Sequence, residues 1–152
     1  MPAIAIPLSL LGLVPLIAFA FGALGPNPET AQRMVVALID YAALILAFAG
    51  GVHWGLGLLP GAVRPSWRFG AGVLPLILAW IALVLGQFVA PSVALVVLIP
   101  GYLATVLTEH RAARRLLVPP RYVWLRWGFS LVAVAMMAMV LILRGVGQTI
   151  VF

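Results

Sequence analysis

The sequence lacks cysteine and lysine, and it contains few charged residues of any kind. Only 8% of its 152 residues are charged, whereas a soluble domain carries about 25%. The absence of thiol groups excludes disulfide bonds, zinc ribbons, iron–sulfur clusters and catalytic cysteines. Hydrophobic residues make up 65% of the chain and form long uninterrupted runs, a composition typical of chains dissolved in lipid. A soluble globular protein is therefore excluded, and the sequence predicts an integral membrane protein.

Acidic residues and enzyme motifs are also scarce. The chain has three acids, Glu29, Asp40 and Glu109, and no two of them are spaced as a catalytic pair. It contains no phosphate-binding loop, serine nucleophile motif or H-E-x-x-H zinc motif. An enzyme is therefore disfavoured.

Nine arginines produce a net charge of +6, but no soluble domain presents them to a nucleic acid, and we expect anionic lipid headgroups as their partners.

Five apolar stretches come close to the roughly 20 residues that a membrane helix needs. They cover residues 4–24, 34–59, 69–90, 92–108 and 127–143. Proline, glycine and serine separate the first four stretches, which is typical of tight turns. The sequence thus predicts one all-α integral membrane domain over residues 1–152, a bundle of five transmembrane helices. The first stretch is interpreted as a span because no positive charge precedes it, as a signal peptide would require.

The connection between the last two spans, residues 109–121, is predicted to be the only long one. Its arginines lie beside Leu116 and Leu117, a pattern typical of a helix end in the headgroup layer. Pro119 and Pro120 would end that helix.

Arginine is distributed unevenly between the two sides of the predicted bundle. Seven of the nine arginines lie on the side of the N-terminus, and only Arg33 and Arg144 lie on the other. Cytoplasmic loops retain positive charge during insertion, so the N-terminus is predicted in the cytoplasm and the C-terminus outside. The arginines expected to contact anionic headgroups are Arg64, Arg111, Arg114, Arg115, Arg121 and Arg126.

Small residues four apart allow helix backbones to approach closely in lipid. The second span has such a stripe at Ala43, Ala47, Gly51 and Gly55, and the third has one at Pro75, Ala79, Ala82 and Gly86. These two helices are therefore predicted to form the tightly packed centre of the bundle. In the fourth span, Pro100 and Gly101 either kink the helix or break it and free backbone carbonyls near the midplane.

Two ionisable residues lie inside the second span, where a charge is costly enough to make each a functional-site hypothesis. Asp40 shares a helix face with Ala47 and is predicted to point into the bundle. There it would either pair with Arg33 or Arg144 or handle protons or ions. His53 lies about 20 Å further along the helix and on another face, so the two residues cannot touch within one subunit. It is either a group that changes charge near neutral pH or a neutral histidine bonded to a neighbouring carbonyl.

The two histidines lie at different depths, since His53 is within a span and His110 is just past the fourth one. Such a difference is a poor match for the two axial ligands of one haem. Few other candidate ligands are present. We therefore predict neither a cofactor nor a metal ion.

The run Ile45–Gly55, with its segment Gly-Gly-x-His-Trp-Gly, resembles the core motif of the family that includes transmembrane protein 69, whose domain is one of unknown function. A first span with Leu11–Pro15, a third with Leu74 and Pro75, and an arginine-rich connection before the last span extend the resemblance over essentially the whole chain. The resemblance implies a small multi-pass protein of the bacterial inner (cytoplasmic) membrane, or of the mitochondrial inner membrane in a eukaryote. It implies no particular activity.

The polar residues of the spans and this resemblance together define a candidate site. Its glycines allow close approach of a backbone or ligand, His53 is a donor and acceptor, and Trp54 presents an aromatic face with one N–H group. The functional-site candidates are Asp40, Tyr41, Gly50, Gly51, His53, Trp54 and Gly55. The secondary candidates are Arg68, Pro100, Gly101, Tyr102, Glu109 and His110.

Two functional classes fit these observations. The leading hypothesis is translocation of a proton or small solute that uses His53, with Asp40 as a further station. The alternative is a non-catalytic accessory or assembly protein that binds lipid, a quinone or a larger membrane complex through the glycine-rich face of the second helix. A homo-oligomer is expected in the first case.

Overall fold

Five α-helices make up the part of the chain that this computed structural model describes, which is residues 4–115, 118 and 120–147. They are α1 (Ala5–Gly22), α2 (Pro28–Gly57), α3 (Pro65–Phe88), α4 (Pro91–Arg114) and α5 (Pro120–Gly145). The prediction of an all-α chain with five helices is therefore confirmed. Four of them, α2 to α5, are long and apolar enough to cross a membrane. The remaining helix, α1, is also apolar but is the shortest of the five with 18 residues, so a fifth span stays a prediction.

Prolines begin the four long helices, and they explain why these helices extend beyond the apolar stretches. Proline suits the first position of a helix because its fixed φ is already helical and its missing N–H group would have no partner there. At the start of α2, the side-chain oxygen of Asn27 also accepts a hydrogen bond from the Thr30 N–H at 3.0 Å. As a result α2 begins at Pro28 instead of residue 34, and α3 at Pro65 instead of residue 69.

The connection between α4 and α5 is much shorter than predicted. The sequence predicts a connection over residues 109–121, but α4 continues to Arg114 and α5 begins at Pro120. The polar segment stays helical because it still has a packed face, in which Glu109 is completely buried. Leu116, Leu117 and Pro119, at which a helix end in the headgroup layer is predicted, lie outside the described residues.

Helix α2 is central and contacts each of the other four helices. Around it, α1 packs against α5, α3 against α4, and α4 against α5. The C-terminal ends of α2 and α4 and the N-terminal ends of α3 and α5 form what we call the arginine-rich end. The apolar core fills the rest of the bundle, and its largest fully buried side chains include Leu16, Leu38, Leu46, Leu95, Leu98, Tyr102 and Met137.

The α2–α3 contact is the most extensive in the bundle, as the small-residue stripes predict. On α3, Pro75, Ala79 and Ala82 are buried as expected, but on α2 the residues Gly51 and Gly55 are exposed. In an α-helix each residue is rotated by about 100° from the one before, so four residues make about 400°. Side chains four residues apart are therefore offset by about 40° around the helix. A stripe that starts on the buried side at residue 43 therefore reaches the outer surface by residue 55.

Gly50 is the α2 glycine that permits close packing against α3. A Cβ atom at Gly50 would overlap the backbone carbonyl of Gly72, and one at Gly72 would overlap the Trp54 ring. By contrast, a Cβ atom at Gly51 would meet nothing within 4 Å. The backbones of α2 and α3 can therefore approach each other only because both Gly50 and Gly72 lack side chains.

The substitution Gly50→Ala is expected to destabilise the bundle, because the added methyl group would push two backbones apart. We expect the free energy of unfolding to fall by about 1–3 kcal/mol, the usual cost of overpacking. Unfolding in a mild detergent titrated with a denaturing one measures this change. Gly51→Ala is the matched control and is expected to unfold like the unaltered protein. Equal stability of the two variants would contradict the close contact.

Candidate functional site

His53 lies on the face of α2 that is turned into the bundle, near the arginine-rich end. Its side chain is 1% exposed. Among the described residues, its Nδ1 atom has no hydrogen-bond partner. The imidazole contacts the Trp67 ring of α3 edge to face, with 5.6 Å between ring centroids. A buried histidine nitrogen without a protein partner is costly unless water or a ligand binds it.

A small cavity lies beside His53, between α2, α3 and α4. Its volume is about 40 Å³, which exceeds the roughly 10–15 Å³ that one water molecule requires. The lining residues are His53, Ala71, Leu74, Pro75, Leu78, Ala104, Thr105 and Thr108. We call this space the His53 cavity.

Two threonine hydroxyl groups of α4 line the His53 cavity. Thr105 donates to the carbonyl of Gly101 and Thr108 donates to the carbonyl of Ala104, both at 2.8 Å. Each hydroxyl donates its proton to a backbone carbonyl of α4, and its oxygen can still accept a hydrogen bond through its lone pairs. The α4 wall therefore offers acceptors to a water molecule.

A third acceptor is the backbone carbonyl of Ala71 in α3, because of the proline four residues later. Pro75 has no N–H group, so it cannot donate to the carbonyl of Ala71 four residues earlier. Ala71 and Pro75 both line the His53 cavity. A water molecule in this space would therefore find several polar partners, which is the condition for a stable internal water.

A larger surface pocket adjoins the His53 cavity at the arginine-rich end. Its volume is about 240 Å³. It is lined by Arg64, Trp67, Thr108, Arg111, Ala112 and Arg115, and we call it the basic pocket. Thr108 lines both spaces, and Trp67 lines the basic pocket while its ring contacts His53. Thr108 and Trp67 therefore lie between the surface pocket and the buried histidine.

Towards the other end of the bundle, Tyr102 closes the interior. Its side chain is fully buried, and its hydroxyl donates to the carbonyl of Ala42 at 2.8 Å. Of the two alternatives at Pro100 and Gly101, a kink or a break, the break is absent, since α4 is helical through both. Pro100 faces outward, while Gly101 packs against Leu46. Gly101 and Tyr102 thus fill the core at this level of the bundle.

Asp40 does not point into the bundle as predicted, because its side chain lies on the exposed face of α2. The two arginines considered as its partners are engaged elsewhere. Arg33 pairs with Glu29, and Arg144 donates to the Gln32 side chain at 3.0 Å. Within the described part of the chain, Asp40 forms no salt bridge. It therefore lies apart from the buried His53 on the same helix.

Tyr41 and Trp54 have structural contacts of their own. The Tyr41 hydroxyl donates to the carbonyl of Gly12 at 2.8 Å and ties α2 to α1. Trp54 is 45% exposed and packs edge to face on Phe69, with 5.2 Å between ring centroids. The motif around His53 is thus divided, with Gly50 and His53 turned inward and Gly51, Trp54 and Gly55 turned outward.

Glu109 forms a buried polar cluster that links α4 to α5. Its carboxylate is fully buried and accepts hydrogen bonds from the Tyr122 hydroxyl and the Arg126 Nε atom, both at 3.1 Å. Arg126 is predicted as a headgroup contact, but its side chain is only 11% exposed and is turned towards Glu109. The sequence does not indicate this pairing because the partners are 13 and 17 residues from Glu109 and lie on another helix.

The other secondary candidates lie around this end of the bundle. Arg68 is 5% exposed and its Nε atom donates to the carbonyl of Val63 at 3.0 Å. His110 is exposed and contacts the ring of Trp127. No group of three histidine or acidic residues that could hold a metal ion occurs in the described ranges.

A separate groove runs between α1, α2 and α5. Its volume is about 430 Å³ and its walls are mainly apolar. The polar side chains of Tyr41, Tyr122 and Arg126 interrupt them. Within the described residues, one terminal nitrogen of Arg126 is buried and has no hydrogen-bond partner. The groove is therefore a mainly apolar surface that includes several polar side chains.

Comparison with known proteins gives one match. A family model with the description "Protein of unknown function (DUF3429)" matches residues 1–142. No curated protein matches this chain, and no solved structure matches it. The match confirms that the chain carries an uncharacterised domain, as the resemblance implies, while the relation to transmembrane protein 69 stays an interpretation.

Replacement of Arg126 by methionine would leave the buried Glu109 carboxylate without its cation. We expect the free energy of unfolding to fall by about 3–5 kcal/mol, the typical cost of removing one partner of a buried pair. Equilibrium unfolding in detergent measures this loss. Arg33→Met is the matched control, since its exposed pair with Glu29 contributes about 0–1 kcal/mol. If both variants lost the same stability, the buried pair would have no special role.

Proposed function

The chain belongs to the DUF3429 family of proteins of unknown function, and from its geometry we propose that it translocates a proton or a small solute across a membrane by means of His53. Its long apolar helices indicate a membrane protein. The observation that carries the proposal is the position of His53. The residue is buried, its Nδ1 atom is without a partner among the described residues, and it lines a water-sized cavity.

The proposed path begins at the basic pocket and reaches His53 through water at Thr108. Histidine is suited to this step because its unperturbed pKa is near 6.5 and either ring nitrogen can hold the proton. Beyond His53, the seal at Tyr102 would have to open. Proline and glycine side by side in α4, at Pro100 and Gly101, are the residues at which that helix can bend most easily. The cavity holds little more than water, which favours a proton over a larger solute.

The test is flux driven by a pH gradient in proteoliposomes that contain the purified protein and a pH-sensitive dye. We expect His53→Ala to abolish the flux without loss of folding, because no other ionisable side chain lines the cavity. His110→Ala is the matched control, since this exposed histidine lies outside the cavity. Asp40→Asn is expected to leave the flux unchanged. Undiminished flux in His53→Ala, or wild-type flux equal to that of empty liposomes for several ions, would refute translocation.

The orientation proposed from arginine distribution places the arginine-rich end in the cytoplasm, or in the matrix of a mitochondrion. Because the chain has no native cysteine, a single introduced cysteine is the only thiol group in the protein. Its labelling therefore shows which side of the membrane that position faces. In intact bacterial cells, a membrane-impermeant maleimide is expected to label Thr30→Cys and not Val63→Cys. Both sites are exposed in the structure and should react once detergent opens the membrane. The reverse pattern would show the opposite orientation.

The groove between α1, α2 and α5 supports a second candidate function. A non-catalytic accessory or assembly protein would use such a groove to hold a lipid or a quinone, with Tyr122 and Arg126 at its polar part. The exposed outer face of α2, which includes Asp40, Gly51 and Gly55, offers a contact for a second copy or a larger complex. If the flux experiment shows no transport, co-purification of such a ligand or subunit would support this function instead.

A further inference from the structure

The basic pocket brings together three arginines from distant parts of the sequence. Arg64 comes from the connection between α2 and α3, while Arg111 and Arg115 come from the end of α4. None of the three has a side-chain hydrogen bond or a salt bridge to another described residue. Three guanidinium groups around one pocket of about 240 Å³ repel each other unless an anion lies between them.

The chain has no carboxylate left to neutralise these arginines. Its three acids are Glu29, which pairs with Arg33, Glu109, which pairs with Arg126, and Asp40, which lies on the outer face of α2. None of them lines the basic pocket. The acids of the chain therefore do not neutralise these arginines, and an anion from another molecule could do so.

The backbone at Arg64 adds to this arrangement. Arg64 precedes the first turn of α3 and has φ 53° and ψ 58°, in the left-handed region that residues other than glycine rarely adopt. Such strain persists where the surrounding structure requires it, and it is enriched at ligand-binding positions. The conformation holds Arg64 at the N-terminal end of α3, where the helix dipole also favours an anion.

We propose that the basic pocket binds a phosphate group, either of an anionic phospholipid headgroup or of free phosphate. Guanidinium groups bind phosphate oxygens through paired hydrogen bonds, which makes arginine the preferred residue for this anion. Basic pockets between membrane helices are known positions for anionic headgroups. Thr108, Trp67 and Ala112 form the rest of the lining. The six predicted headgroup arginines thereby divide into three that share one pocket and three that do not line it.

A phosphate in this position would lie at the mouth of the His53 cavity, because Thr108 lines both spaces. Phosphate binding at the arginines does not require that His53 carry protons. The two sites can therefore be tested separately.

The experiment uses the full-length protein in nanodiscs and in detergent. Native mass spectrometry compares the number of phosphatidylglycerol molecules that the protein retains with the number of phosphatidylcholine molecules. A thermal-shift titration with inorganic phosphate tests whether the protein binds free phosphate. The test variant is Arg111→Gln with Arg115→Gln. We expect it to lose at least about tenfold in affinity for the phosphate-bearing ligand, since hydrogen bonds to charged groups are each strong enough to account for such a loss.

The matched control is Arg114→Gln with Arg121→Gln, which removes the same charge from exposed positions near the same end but outside the basic pocket. It is expected to bind as the unaltered protein does. Retention of phosphatidylglycerol without a response to inorganic phosphate identifies a lipid as the source of the phosphate group. A response to inorganic phosphate without retention of phosphatidylglycerol identifies free phosphate. Equal losses in both double variants would show general surface attraction and overturn the proposal. Absence of binding by either ligand to the unaltered protein would also overturn it.

Discussion

The close approach of α2 and α3 at Gly50 and Gly72 determines the geometry of the arginine-rich end. In lipid, helices associate mainly through close packing, so a point where two backbones touch has a large influence on how they cross. One helical turn after Gly50, His53 is held between α3 and α4 and against Trp67. The next residue, Trp54, also lies against α3, where its ring contacts Gly72. The contact between Gly50 and Gly72 thus determines the positions of both the buried His53 side chain and the exposed Trp54 side chain.

The two halves of the bundle differ in polarity. Near the arginine-rich end, the interior contains His53, two threonine hydroxyls and the cluster of Glu109 with Tyr122 and Arg126. Towards the opposite end, the interior is filled with leucine, alanine and methionine, and the Tyr102 hydroxyl is satisfied by a backbone carbonyl. Buried polar groups are costly in lipid, so each of those near the arginine-rich end needs a partner within the bundle or a bound water molecule.

The Glu109 cluster illustrates how a membrane protein can hold a charge inside a bundle. Its carboxylate receives two hydrogen bonds, one of them from a guanidinium group, so the negative charge is both paired and solvated by the protein. A buried pair of this kind contributes little net stability compared with an apolar contact. It does specify one alignment of α4 against α5, because any shift along the helix axis would separate the partners. The same pairing keeps residues 109–114 helical, so that Arg111 reaches the basic pocket.

The sequence by itself determined the membrane class, the all-α fold, the number of helices and the pairing of α2 with α3. These properties follow from hydrophobic run length, proline position and small-residue spacing, all of which act within one helix. The place of His53 within an apolar run also marked it as a candidate residue, but the run did not show that its side chain is buried in the bundle. The partner of Glu109, the outward position of Asp40 and the choice of Gly50 over Gly51 were decided only by tertiary structure. The physical reason is rotation: a change of 100° per residue moves a side chain from core to lipid, and in a span that is apolar on all sides no periodicity marks which face is buried.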